Sequence, residues 1–216
     1  MKLFIVESPT KVSKIAGFLG NQFRVIATRG HLFELPKKQL GIKPDTFELD
    51  YKAIPKQREI IGNIRKLGAS AKEVWIGTDP DREGEAIGFH VASLIKNKSK
   101  IRRAIFHSIT KQEILQSVQK PGLMDENLYE ASKTRRALDR LIGYKLSPVA
   151  WRKVGAGTSI GRCQTPSLCI VSEHNDKVKA QTYEKIQSGV AILQMDRGSL
   201  SFSTEFKEVQ DPNIKK

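Results

Sequence analysis

The tightest constraint on the fold is a rhythm. Through the first 120 residues, apolar stretches of strand length alternate with amphipathic stretches of helix length, the pattern of a parallel sheet covered by helices. Lys2 to Glu7 reads as a short apolar strand, and Ser8-Pro9 then caps and opens a helix running through Leu19. Phe23 to Thr28 is a second strand, broken by Gly30-His31. Pro36, Gly41, Pro44 and Pro55 make residues 34–56 loop-rich, with one strand expected at Phe47 to Tyr51. Lys56 to Leu67 is helical, Glu73 to Thr78 is a buried strand, and Gly84 to Ile95 is helical again. A strand at Arg103 to His107 and a helix at Thr110 to Gln119 complete the alternation.

Beyond Gly122 the pattern turns helical, with helices expected at about Glu126 to Tyr144 and Thr165 to Lys179 and a separate Pro148-started turn or helix between them. Lys185 to Gln194 and Ser199 to Phe206 alternate like a hairpin across Asp196-Arg-Gly198, and a polar tail, Asp211 to Lys216, follows. The expected class is α/β: a Rossmann-like parallel sheet over residues 1–122, then a mainly helical domain over 123–216 that ends in a short β pair. Cys163 and Cys169 form neither a CxxC pair nor a zinc set, so both read as inert buried thiols.

Charge narrows the partner. The 216 residues carry a formal +14, and the apolar runs are too short for a membrane span or a signal-peptide core. A cytoplasmic protein with a polyanionic partner, nucleic acid before membrane, is the expectation. The excess sits in two blocks. Residues 95–120 carry seven bases against Glu113, and residues 133–162 carry eight against Asp139. In the second block Leu138, Leu141 and Ile142 recur at helical spacing as a face for a core. Arg136 and Arg140 share another face, with Asp139 beside them to orient a guanidinium. Guanidinium forks suit phosphate oxygens, and a merely solvated basic face is the alternative.

The sharpest local feature is acidic. Gly77-Thr-Asp79-Pro-Asp81-Arg-Glu83-Gly-Glu85 directly follows an apolar strand, and the carboxyl ends of strands are where open α/β sheets place ligands. Asp79, Asp81 and Glu83 offer hard oxygen donors of the kind Mg²⁺ takes, although acids before a helix also serve as caps. Glu7 ends the first strand and in a parallel sheet reaches the same edge, with Lys11 one turn into the next helix. Four carboxylates at one edge of a basic protein point to metal-assisted phosphoryl transfer.

Six stretches in order carry a family resemblance: Glu7-Ser-Pro-Thr-Lys11, Gly30-His31-Leu32, Thr78 to Glu85, Phe106-His-Ser-Ile-Thr110, Arg135 through Pro148, and Ser159-Ile-Gly-Arg-Cys-Gln164. Together they resemble the amino-terminal part of type IA DNA topoisomerases, a Toprim domain followed by the start of a helical domain that holds single-stranded DNA. The resemblance implies transient strand cleavage and religation with strand passage that relaxes negative supercoils, without ATP. It implies Mg²⁺ held by Glu7, Asp79, Asp81 and Glu83, with Glu7 also a general acid and Lys11 stabilising charge on the scissile phosphate. His31, Arg135, Arg136, Arg140, Lys145, Arg152, Ser159, Gly161, Arg162 and Gln164 match positions lining the single-strand groove, and Asp139 matches a residue supporting it.

The family's nucleophile lies in a tyrosine motif well downstream. Here Tyr51, Tyr129, Tyr144 and Tyr183 stand outside such a context, and Tyr144 and Tyr183 read as structural. The chain alone is therefore expected not to cleave DNA, and its end at 216 reads as that of a fragment, a split subunit with its carboxy-terminal part on another chain, or a truncated product. A non-catalytic single-strand DNA-binding module is the first alternative. A Toprim nuclease or primase-like phosphoryl transferase is the second.

Overall fold

The computed structural model describes residues 1–181 together with the backbone of 187–195 and 198–206. By packing it divides into two compact units, Met1–Cys163 and Gln164–Lys216. The first is built on strands β1 (Lys2–Val6), β2 (Phe23–Ala27), β3 (Phe33–Glu34), β4 (Lys52–Ala53), β5 (Val74–Ile76) and β6 (Ile101–Arg103), with helices α1 (Val12–Leu19), α2 (Arg58–Ser70), α3 (Arg82–Leu94), α4 (Lys111–Gln119) and α5 (Glu126–Lys153). The second holds α6 (Gln164–Ala180) and an antiparallel pair, β7 (Gln187–Met195) with β8 (Gly198–Phe206), which is the expected hairpin; its turn at 196–197 and the polar tail lie outside the described residues.

The main sheet is wholly parallel in the order β2-β1-β5-β6, so all four carboxyl ends share one edge. Alternation along β1 explains why both faces are covered. Leu3 and Ile5 join Val74, Ile76, Ile64, Ile87 and Val91 in a core shared with α2 and α3. Phe4 and Val6 point the other way and pack with Trp75, Ile15, Leu19 and Ile114 beneath α1 and α4. Each such fully buried side chain is worth about 1.5–3 kcal/mol of transfer free energy, and that fixes β1 at the centre.

Some elements depart from expectation. No strand forms over Phe47 to Tyr51, because Phe47 takes a left-handed backbone (φ 55°) and only an isolated Ile42–Leu49 bridge remains. The last parallel strand lies at Ile101–Arg103 and not at Arg103–His107: three residues suffice to pair Val74–Ile76, and Ile105 beyond them is exposed. α5 runs unbroken through Pro148, so no separate helix starts there. Leu138 is 44% exposed, and only Ser132, Ala137 and Ser147 of α5 are buried, so its apolar face forms no core among the described residues. Both cysteines are exposed, contrary to the buried-thiol reading.

The packing unit also extends past residue 122, to Cys163. α5 is fastened to α3 by the Phe89–Tyr129 ring stack, 4.3 Å between centroids and nearly coplanar. Part of the first basic block is structural. Lys98 donates to Ala92 O at the end of α3, Lys100 to Ala71 O beyond α2, and Arg102 to Ser99 O, so cations of this block meet carbonyls near the negative ends of helices. No helix among the described residues is long and apolar enough to cross a membrane.

Candidate functional site

Glu7 leaves the end of β1, half-buried, and Asp79 leaves the end of the neighbouring β5. Pairing continues one step further, with Gly77 N–H donating to Ile5 O at 2.8 Å, so the two acidic segments depart side by side. Ser8 caps the 3-10 turn Pro9–Lys11, which swings Lys11 back over the edge. Its Nζ donates to Asp79 Oδ1 at 2.5 Å. Asp81 caps α3, with Oδ1 accepting Gly84 N–H at 2.7 Å, so the capping role weighed for these acids is real for this one.

Glu83, in the first turn of α3, meets His31 Nε2 at 3.0 Å and Arg136 at 3.7 Å. His31 reaches it because Arg29 (φ 57°) and Gly30 (φ 90°) turn the chain sharply after β2, with Arg29 N–H held by Glu7 O. Burial lowers the His31 pKa, and the Arg136 cation lowers it further against the opposing pull of Glu83.

The Glu7 carboxyl is held above the usual carboxylate range by burial first, then by the negative charge of Asp79, with smaller contributions from Asp81 and Glu83 and an opposing one from Lys11. All four carboxylates thus share one electrostatic neighbourhood. Among the described residues, however, no three His, Cys, Asp or Glu side chains are drawn close enough to hold a metal ion. Asp79 is engaged by Lys11, Asp81 by the Gly84 N–H and Glu83 by His31. The donor chemistry suits a hard divalent cation, whose charge would relieve the repulsion evident at Glu7.

A second surface runs along α5. Arg136 spans from this helix to Glu83, which joins the basic face to the acidic edge. Arg140 reaches Leu35 O at 3.5 Å and the Tyr144 hydroxyl donates to Lys38 O at 3.1 Å. A cleft of about 840 Å³ opens here, lined among others by Arg136, Arg140, Tyr144, Trp151, Ser159 and Ile160. Asp139 does not orient Arg136 or Arg140 as expected. It pairs with Arg162 at 2.8 Å and with Arg135 at 3.8 Å, because it lies toward the returning 155–162 loop.

That loop turns through Gly155 and Gly157, both at positive φ, and is pinned to α5 by the buried Ser147 hydroxyl, which accepts Ile160 N–H at 3.0 Å. Trp151 Nε1 donates to Thr158 O. Gly161 sits half-buried in the loop, whereas Lys145 and Arg152 are exposed on α5 outside the cleft lining. Gln164 opens α6 in the second unit. Tyr144 and Trp151 were not expected to line the groove; positions 136, 140, 144, 147 and 151 are a helix face, and that spacing was the available signal.

Comparison with known proteins gives two family matches: the Toprim domain over residues 2–109 and DNA topoisomerase over residues 124–209. The chain is similar to DNA topoisomerase 1 of Rickettsia typhi, 38% identical over all of this chain and 28% of that protein. DNA topoisomerase 1 of Rickettsia felis is also 38% identical, again over all of this chain and 29% of the relative. The chain therefore spans under a third of the length of the curated relatives it matches. Among solved structures, full-length topoisomerase I from Thermotoga maritima superposes with a TM-score of 0.76 at 30% identity, covering 97% of this chain and 36% of that one.

Proposed function

This chain belongs to the type IA DNA topoisomerases, matching their amino-terminal region, and from that premise we propose that it supplies the metal-binding and single-strand-holding half of a strand cleavage and religation centre. Residues 1–122 form the metal-binding domain and 123–216 the start of the DNA-binding domain. The observation that carries the proposal is Arg136, which joins the acidic edge at Glu83 to the basic groove along α5.

In this reading Asp79, Asp81 and Glu83, with Glu7, hold Mg²⁺, which when bound supplies positive charge beside a scissile phosphate. Lys11, held at the edge by Asp79, offsets phosphate charge. Glu7, half-buried at the end of β1, serves as the general acid that protonates the departing 3′ oxygen. Arg135, Arg136, Arg140, Lys145, Arg152 and Arg162 hold the backbone of single-stranded or negatively supercoiled DNA, with Asp139 fixing two of them. His31 stands between the two surfaces, Ser159 and Gly161 extend the groove, and Gln164 is a further candidate contact for the strand.

Two measurements test this. Calorimetric titration of Mg²⁺ into wild type gives binding heat that disappears in Asp79→Ala/Asp81→Ala. Wild-type-like heat in that variant removes the metal assignment, and no heat from wild type favours a non-catalytic DNA-binding module, in which Lys11 and His31 permanently occupy the carboxylates. Single-strand affinity falls in Arg136→Ala/Arg140→Ala, and the slope of log affinity against log salt shrinks by about 1.4 if both contact phosphate. An unchanged slope and affinity would place the DNA elsewhere.

A further inference from the structure

Glu85 closes the acidic segment, yet it faces away from the site. It is 2% exposed and paired with Arg103, itself 1% exposed at the end of β6. Arg103 Nε and one terminal nitrogen donate to Glu85 Oε1 at 2.8 and 2.6 Å. The other terminal nitrogen donates to Ile76 O at 3.0 Å, Thr78 O at 2.8 Å and Ala104 O at 3.0 Å, and the first also lies 3.3 Å from Asp79 O. Glu85 Oε2 is buried with no partner.

Burying two charges costs several kcal/mol each before their attraction is counted, and apolar residues of similar volume commonly stabilise a core as well or better. Stability therefore does not explain this pair. What an apolar pair cannot supply is a rigid fork of donors converging on main-chain carbonyls. Thr78 O and Asp79 O belong to the segment that has just left the sheet, where ladder partners end. On its far side that segment is closed by Gly84, where an added Cβ would run into the Asp79 backbone.

We infer that Arg103 and Glu85 are positioning residues: the guanidinium, aligned by Glu85, holds the main chain at Thr78 and Asp79 so that Asp79, Asp81 and Glu83 face Glu7. As far as metal binding is concerned, this rests on the metal reading above.

The test replaces the pair by apolar residues, Arg103→Met/Glu85→Leu, and reads three quantities in the full 216-residue chain. The melting temperature stays at or above that of wild type. Amide hydrogen exchange across residues 79–84 of the metal-free protein accelerates tenfold or more, and Mg²⁺ affinity by calorimetry falls tenfold or more. A folded double variant with wild-type exchange in this segment overturns the inference, as does a melting temperature that collapses together with exchange across the whole sheet. If the double variant does not fold, Arg103→Lys, which keeps the charge but not the fork, is read by the same exchange measurement, and wild-type rates there overturn it. Absence of Mg²⁺ heat in wild type defeats the metal reading alone, since exchange still decides the positioning role.

Discussion

Gly84 is the residue on which the acidic loop closes. Its N–H caps onto Asp81, and a Cβ there would overlap main-chain atoms of Asp79, which cannot yield as a flexible side chain can. Gly84→Ala is expected to lower stability by about 1–3 kcal/mol and to weaken Mg²⁺ binding. Gly62→Ala in α2 has open space around the added carbon and is expected to gain up to about 1 kcal/mol. Urea denaturation midpoints compare the two, and equal shifts would show that the close approach at Gly84 is not rigid. The place of Asp79, Asp81 and Glu83 at a strand end was legible in the sequence, because they directly follow an apolar run. Lys11 was expected at the same edge, but its bond to Asp79 was not: the two are 68 positions apart, and only the sheet order brings them together. Glu85 was hidden among acids that resemble caps, since nothing local says that it is buried against an arginine from another strand.

At the scale of elements, strands and helices with a strong period were readable, and those set by tertiary partners were not. β1, β2 and α1 stand where the sequence places them, but β6 is set by the three residues it must pair with. Pro148 costs α5 one backbone hydrogen bond, and the helix continues because Ser147 and Trp151, on either side of it, are fastened to the 158–160 loop. The junction of α3 with α5 carries a titration. His90 is buried among Phe33, Tyr51 and Tyr129, neither ring nitrogen has a partner, and burial, with help from the His31 and Arg136 charges, lowers its pKa to about 4. Unfolded chains bind this proton near 6.5, so the unfolded state holds more protons between about 4 and 6.5 and stability is lost as pH falls through that window. The loss approaches about 1.4 kcal/mol per pH unit at most. His90→Leu should flatten the curve of unfolding free energy against pH. Because His31 titrates nearby, the difference between variant and wild type is the quantity to read, and superimposable profiles would remove His90 as the cause.

For the molecule as a whole, the charge surplus resolves into two uses. In the 95–120 block Lys98, Lys100, Arg102 and Arg103 serve carbonyls within the fold, and in the 133–162 block Arg136 and Arg140 line the cleft, a division that charge counting alone does not make. The cleft and the acidic edge belong to one packing unit, so a single strand bound along α5 would meet the carboxylates without rearrangement between units. In the proposed reading Tyr51, Tyr129, Tyr144 and Tyr183 are not the nucleophile, and these 216 residues are expected to bind single strands yet leave supercoiled plasmid unrelaxed in a gel assay. Relaxation by the rigorously purified chain would refute that.

The unbroken run of α5 also sets rules for how such a chain can change length. One residue inserted between Tyr144 and Ser147 would rotate everything after it by about 100° and advance it 1.5 Å, separating Arg140 and Tyr144 from Ser147 and the loop that Ser147 holds. Additions of about seven or about eleven residues, close to two or three whole turns, restore the phase. Residues 36–51, lacking regular structure apart from one bridge, carry no such phase requirement. Insertions and deletions among related chains should therefore gather in that segment and be nearly absent from the helix.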